Sequence, residues 1–252
     1  MDKQKGLSAA VLKNTAIILM AINHFSVGLI TAGIIDRACR YANFQWYLTR
    51  AAFILFAFQI AEGMVHTKSR TKYLLQLLGM GIASEYFYDE LFCGGFPYWP
   101  MQNVFFTLFF GALAIALIDR FRTKPVLAIL MTVAVTAAAT FIDSDYGIMG
   151  VAVILLFYYL RGKPVPMFLS VAVSIFALWF VQYRVVYLLI GREFLLADAI
   201  ESCLMELHGI LAFPLIFFYN GKKGKQLPKA FYYLFYPVHL LLILIIVSLL
   251  SK

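Results

Sequence analysis

The chain has 252 residues, 63% hydrophobic and 13% charged, where a soluble domain averages about 45–50% apolar and about 25% charged. So much apolar surface excludes a water-soluble globule, and nearly every residue falls in an apolar run or a short loop, so a single transmembrane domain is expected over residues 1–252. The net charge of +8 does not make a nucleic-acid partner, because the basic residues sit between apolar runs, where they anchor loops against an anionic leaflet of the lipid bilayer.

Apolar runs bounded by charges predict an all-α, polytopic membrane bundle of about nine transmembrane helices: 11–32, 48–66, 73–92, 102–119, 125–142, 147–160, 164–182, 199–219 and 230–250. Several fall short of the roughly 20 residues a bilayer needs, 125–142 and 147–160 most of all. The stretch 183–198 mixes Arg184, Arg192, Glu193 and Asp198 with apolar residues and reads as an amphipathic interfacial piece. The first run follows Lys3, Lys5 and Lys13 as a signal peptide would. It carries Asn23 and His24 and no small-residue cleavage site, so it is expected to be a retained span. With the N-terminus inside, fifteen Lys and Arg fall in inner segments. Six fall outside: Arg37, Arg40, Arg50, Arg184, Arg192 and Lys252. That asymmetry favours nine spans, N-terminus in. Three cysteines (Cys39, Cys93 and Cys203) without C-x-x-C exclude a disulfide framework and a zinc ribbon.

Polar residues inside spans carry the functional signal, since a charge at mid-bilayer costs at least about 2.5–3.5 kcal/mol on insertion scales. In the first span, Lys13 and His24 stand eleven positions apart. Such a pair lies within about 20° on the helix and about 16 Å apart along it. Lys13 sits near the inner end. His24 lies past the middle, where it is either a general base or a structural histidine bonded to a neighbouring helix. The second span opens on Arg50 and ends with Gln59, Glu62 and His66 on one face, functional or merely snorkelling. The third carries Ser84, then Glu85 and Asp89 one turn apart, a pair suited to a cation, a proton or the orientation of a histidine, or to pairing with Arg50. Gln102-Asn103 opens the fourth, either capping the helix or donating to a substrate oxygen. Asp143-Ser144-Asp145-Tyr146-Gly147 makes an outer turn, and Glu206, His208, Tyr236 and His239 lie in the last two spans. Pro237 kinks the helix beside His239. The polar groups thus form two layers. An outer one holds His24, Arg50, Glu85, Asp89, Gln102, Asn103, Asp143 and Asp145, and an inner one Lys13, Glu62, His66, Lys68, Arg70 and Lys72. An anionic ligand entering from the inside would meet a nucleophile presented beyond the midplane. There is no H-E-x-x-H, G-x-S-x-G or G-x-x-x-x-G-K-[ST] motif, and no spacing demands a metal.

These stretches together resemble the TraX family of membrane proteins over most of the chain. The resemblance rests on Leu12 to His24, on Arg50-Ala51-Ala52-Phe53-Ile54-Leu55-Phe56-Ala57-Phe58 running into Ala61-Glu62-Gly63, and on His66-Thr67-Lys68 with Lys72-Tyr73-Leu74-Leu75. Ser84-Glu85, Asp89, Gln102-Asn103-Val104-Phe105-Phe106-Thr107-Leu108, Asp145-Tyr146-Gly147 and Tyr236-Pro237-Val238-His239-Leu240 complete it. Asn23 stands where the family is expected to carry an acid, Ile54 where it carries proline, and Tyr86-Phe87-Tyr88 where proline is usual. The basic residue, ten positions and histidine of Lys13 and His24 also resemble a signature of the acyltransferase-three branch of membrane acyltransferases.

The resemblance implies a multi-pass protein of the bacterial cytoplasmic (inner) membrane that acetylates pilin or another acceptor. Acetyl-CoA is the implied donor, taken from the cytoplasm. On that reading His24 is the catalytic base, with Glu85 and Asp89 orienting it or binding the acceptor. Lys13, Glu62, His66, Lys68, Arg70 and Lys72 meet the cofactor. Asn23, Arg50, Gln102, Asn103, Asp145, Tyr146 and His239 face the substrate or the oxyanion. A small-solute or proton-coupled transporter using the same His and carboxylates is the alternative, although no inverted repeat is visible. A non-catalytic assembly protein is a third.

Overall fold

A computed structural model describes residues 6–36, 39–189, 191 and 193–251. Lys3, Lys5, Arg37, Arg192 and Lys252, counted above among the loop charges, lie outside these residues. The described chain is helical throughout, with no strand. In order the helices are α1 (Ala9–Thr31), α2 (Arg40–Thr49), α3 (Ala51–His66), α4 (Arg70–Phe92), α5 (Val104–Arg120) and α6 (Pro125–Phe141). Next come α7 (Gly147–Tyr159), α8 (Pro164–Leu189), α9 (Leu196–Leu207), a 3-10 turn (His208–Ala212), α10 (Phe213–Phe217) and α11 (Lys229–Leu250). Every predicted apolar run is helical. Five segments are long and apolar enough to cross a membrane: Ala9–Thr31, Phe44–His66, Pro164–Leu188, Leu196–Phe217 and Lys229–Leu250. Helix α4 is long but carries Glu85, Asp89 and Glu90, and the apolar α6 and α7 have 17 and 13 residues.

The expectation of a separate interfacial piece over 183–198 is corrected. Helix α8 continues through Leu189. Within it Tyr183 and Tyr187, one turn apart, stack and share a hydroxyl hydrogen bond of 2.9 Å. Arg184 lies over the Phe194 ring at 4.8 Å.

Large apolar side chains point outward at helical spacing, among them Val126, Ile129, Leu130 and Val133 on α6, and Val165, Leu169 and Val173 on α8. Buried positions include Gln45, Ser84, Asp89, Asn103, Thr107, Gln182, Glu206 and His239. Apolar outside and polar inside is the arrangement lipid selects. Thr132, Thr136 and Thr140 each return their hydroxyl to the carbonyl four residues back, at 2.8–3.0 Å, so no hydroxyl of α6 confronts lipid unpaired.

The chain divides into two compact units. The first comprises the described residues of 1–56, 82–98 and 208–252. There α1 packs on α2 and α11, and the 3-10 turn on α2. Gly28 permits the approach, because a Cβ there would stand 3.0 Å from Ile243 and 3.1 Å from Leu91. The segment ahead of α1 is tied to the chain after α10. Leu7 donates to the Phe218 carbonyl (2.7 Å), Ala9 to that of Lys222 (2.9 Å) and Ala10 to that of Lys223 (3.0 Å), while Asn220 donates back to Leu7 (2.9 Å). Two of the N–H groups that a helix start leaves open are thereby satisfied.

The second unit comprises 57–81 and 99–207. Helix α5 packs on α6 and α7, and α8 on α7 and α9. Ala114, Ala139 and Val151 form a core of small side chains. Small residues let backbones approach, which is how helices associate where lipid competes for apolar contact. At one end, Gln102 donates to the Asp143 carbonyl (3.1 Å) and accepts from Asp145 N–H (3.0 Å). Asp143 adopts φ 47 to make this turn. Burial pushes its carboxyl up from the ordinary 3.8 to about 6. The folded chain therefore holds that proton more tightly than the unfolded one. The contribution of this carboxyl to stability is full below about pH 4 and is lost as pH rises through the window from 4 to 6. Asn tolerates positive φ, so Asp143→Asn is expected to melt higher than wild type at pH 7.5, by about 1 kcal/mol after discounting for partial solvation, and to match it near pH 4. Thermal unfolding in detergent at the two pH values measures this.

Candidate functional site

His24 is presented by the middle of α1 in the first unit. Its Nδ1 lies 2.7 Å from Nε2 of His239 on α11, the ring planes inclined by only 12°. Nδ1 of His239 lies 2.8 Å from the carbonyl oxygen of Phe235, one turn earlier. Among the described residues no hydrogen bond reaches Nε2 of His24. Phe92 and Tyr236 set their rings edge to face against the imidazole, with centroids 5.3 and 5.6 Å away. The sequence places His24 and His239 in different spans, and the packing of α1 on α11 brings them together.

Arg50 stands at the head of α3, with its guanidinium carbon 5.9 Å from the Trp46 ring centre. Asn23 donates to the Thr49 hydroxyl at 2.9 Å, which ties α1 to the end of α2. One turn before Thr49, Gln45 is buried, and among the described residues neither of its amide atoms has a hydrogen-bond partner. Of the two carboxylates on α4, Asp89 accepts from Tyr98 N–H at 2.7 Å and closes the loop 93–98, which Glu90 assists by accepting from Phe96 N–H at 3.1 Å. Glu85 lies one turn earlier on the same face, in the same unit. Phe92 is the α4 residue described against the His24 ring.

Lys13 is half-buried toward the other end of α1, its ammonium 4.3 Å from the centre of the Tyr232 ring. Tyr232 donates to Asn14 at 3.0 Å and accepts from Leu227 N–H at 3.2 Å. Exposed Lys222, Lys223, Lys225 and Lys229 surround this end of the first unit. An unbroken α1 therefore links a basic end to the histidine pair.

The remaining inner-layer residues belong to the second unit. Glu62 receives Nε and Nη2 of Arg161 at 2.5 and 3.2 Å, and the same guanidinium donates to Nε2 of His66 at 3.3 Å. Arg70 pairs with Asp119 at 2.6 Å, an oxygen that also accepts from the Tyr158 hydroxyl at 2.6 Å. Glu62, His66 and Arg70 thus already have protein partners, whereas Lys68 and Lys72 are exposed beside them.

At the opposite end of this unit Asn103 caps α5. Its oxygen accepts from Phe105 N–H at 3.0 Å, and its amide donates to the Gly81 carbonyl at 2.9 Å. Gln102 donates to the carbonyls of Trp99 and Met101 at 3.2 and 3.0 Å. Tyr146 is buried against Trp179, centroids 6.0 Å apart, and its N–H reaches the Thr107 hydroxyl at 3.2 Å. Asp145 is half-buried in the same turn. These residues build the outer turn.

The sequence reading missed Arg161, Asp119 and Tyr158 as partners of the inner layer, and Phe92, Thr49 and Gln45 around the histidines. Asp119 was detectable as the one acid in the basic run with Arg120, Arg122 and Lys124. The others have no signature, because their roles come only from packing.

A family model described as TraX protein matches residues 8–248. The chain is also similar to a probable fimbrial assembly protein FimC, serogroup H1, of Dichelobacter nodosus. The two are 30% identical over 262 residues, covering 96% of this chain and 97% of the relative. No solved structure matches.

Proposed function

Because the chain belongs to the TraX family, we propose that it is an integral membrane acetyltransferase, acting as one transmembrane domain over 1–252, that moves an acetyl group from cytoplasmic acetyl-CoA to an amine or hydroxyl. The observation that carries this reading is the arrangement along α1, where Lys13 at a basic end precedes His24, paired at Nδ1 and open at Nε2. Nine spans with the N-terminus inside complete the proposal. It is supported by the ion pairs that join the predicted inner segments near residues 62–70, 119 and 158–161 of the second unit, and by the link between residues 6–10 and 218–223 in the first. A bacterial inner membrane would put the donor inside and an envelope acceptor outside.

The CoA phosphates would meet Lys13 and the exposed lysines of residues 222–229 at the basic end of the first unit. The pantetheine arm would run beside α1 over the roughly 16 Å that eleven helical residues span. The acceptor nitrogen or oxygen attacks the thioester carbonyl while its proton passes to Nε2 of His24. The tetrahedral oxyanion collapses, the C–S bond breaks, and the CoA thiolate leaves and takes the proton back from His24. The products are the acetylated acceptor and free CoA. Arg50, in the same unit as His24, would stabilise the oxyanion. Gln102 and Asn103, engaged in their own turn, are weaker candidates for that work. The relative's name makes a pilin subunit the first acceptor to try, and an envelope glycan or small molecule the next.

The test is acetyl-CoA binding and turnover by the purified protein in nanodiscs. A saturable rise in melting temperature, reaching about 2.7 kcal/mol of stabilisation at a hundredfold excess over Kd, with CoA released when an acceptor amine is added, is the expected result. A folded protein that acetyl-CoA does not stabilise overturns the reading. Proton flux into liposomes without acetyl-CoA would put a transporter in its place.

A further inference from the structure

Which nitrogen of His24 is basic is decided by its neighbours, and the chain of partners can be followed to its end. The Phe235 carbonyl can only accept, so Nδ1 of His239, 2.8 Å away, carries a hydrogen. Neutral His239 then has a bare Nε2, which must accept. The one donor described against it is Nδ1 of His24, at 2.7 Å. His24 in turn has its hydrogen on Nδ1 and its lone pair on Nε2. A backbone carbonyl that cannot change role thus sets, through two imidazoles, the tautomer of the nitrogen facing the reaction.

We propose that His239 is a positioning residue. It holds His24 in the Nδ1–H tautomer and takes a share of the proton that His24 collects. The inference rests on His24 as the base of the proposed transfer. When the acceptor's N–H or O–H bond breaks, a new N–H bond forms at Nε2 of His24, and the imidazolium so made donates more strongly through Nδ1 to Nε2 of His239. If that proton crosses, His239 becomes the cation and still donates to Phe235, so no group in the relay loses its partner. The adjacent position does not compete for the task, since the Asn23 amide faces Thr49. Of the carboxylates on α4, Asp89 is engaged with Tyr98. Packing fixes the relay further, because the His239 ring stacks on Phe235 at 4.9 Å and 14°, which keeps Nε2 aimed at α1. Pro237 supplies no N–H to its own helix, and the register of α11 around it places Phe235 and His239 one turn apart beside Tyr236.

The test combines a spectroscopic and a kinetic reading of wild type, His239→Phe and His239→Gln. The phenylalanine keeps the aromatic packing without the acceptor, and the glutamine restores an acceptor oxygen and a donor amide. Nitrogen-15 NMR of histidine-labelled protein, assigned by the signals missing in His24→Ala, reads the tautomer directly. We expect His24 as the Nδ1–H form in wild type and His239→Gln, and a mixture in His239→Phe. We expect kcat to fall about 10–100-fold in His239→Phe, with KM for acetyl-CoA unchanged, and to recover to within a few-fold in His239→Gln. An Nε2–H tautomer in wild type overturns the proposal, as does an unaltered tautomer with unaltered kcat in a folded His239→Phe. Wild type with the expected tautomer but no acetyl-CoA turnover defeats the acetyltransferase reading and leaves His239's hold on the tautomer standing, so the two failures are told apart.

Discussion

Replacing His24 with alanine is expected to lower acceptor-dependent CoA release by about 10²–10⁴-fold, the range a positioned general base contributes, while acetyl-CoA still stabilises the protein. The two parts of the result follow from geometry. Lys13 and the lysines of residues 222–229 lie toward the other end of α1 from His24, so removing the imidazole leaves the contacts proposed for the nucleotide intact. What goes is the lone pair on Nε2, and Nε2 of His239, already engaged with the missing ring, has no described route to the acceptor. Folding should survive, because His24 is one edge of an aromatic cluster whose other members Phe235, Tyr236 and His239 contact one another. Thiol release under saturating acetyl-CoA, read beside the thermal shift, checks both parts. Full turnover by a folded His24→Ala protein would remove the histidine from the chemistry.

The second large effect is structural. Gly111→Val is expected to cost about 3 kcal/mol and much of the folded yield. In the second unit a Cβ at position 111 would enter the space of the Ile154 side chain, and Ile154 is wholly buried on α7. Overpacking a closed interior usually costs about 1–3 kcal/mol, and valine adds two methyls beyond the clashing Cβ. Ala112 and Ile115 are buried on the same turn of α5, so the helix has little room to slide. Combining Gly111→Ala with Ile154→Ala should recover part of the loss, because the second change removes the atoms the first one meets. Unfolding in sodium dodecyl sulfate, read by fluorescence, would show whether the pair is non-additive in this sense.

Hydropathy and charge made the helices legible, because lipid requires every backbone group of a span to be paired within it, and the runs from 11–32 to 230–250 were bounded by charges. The ends were less legible. Helix α8 passes Arg184 without pause, since one arginine that lies over an aromatic ring does not break a helix. At the site, His24 stands out in the sequence as a polar residue deep in an apolar run. Its partner could not, because 215 residues separate it from His239 and helix order in the bundle decides which spans touch. Glu85 and Asp89 invited an assignment as orienting groups because they are acidic and close in sequence, yet Asp89 holds the loop at Tyr98. Glu62 and Arg70, expected to meet the cofactor, stand opposite Arg161 and Asp119 in the fold. A buried charge needs a partner, and sequence shows the need without showing who meets it.

The first unit is assembled from segments far apart in the sequence. His24 lies on the first described helix and His239 on the last, and the start of α1 is tied to residues 218–223. During synthesis α1 therefore enters the membrane long before the imidazole that fixes its histidine exists. The ribosome must deliver every intervening helix first. A nascent chain that has not yet reached residue 239 holds most of the described helices and still lacks the imidazole that orients its base.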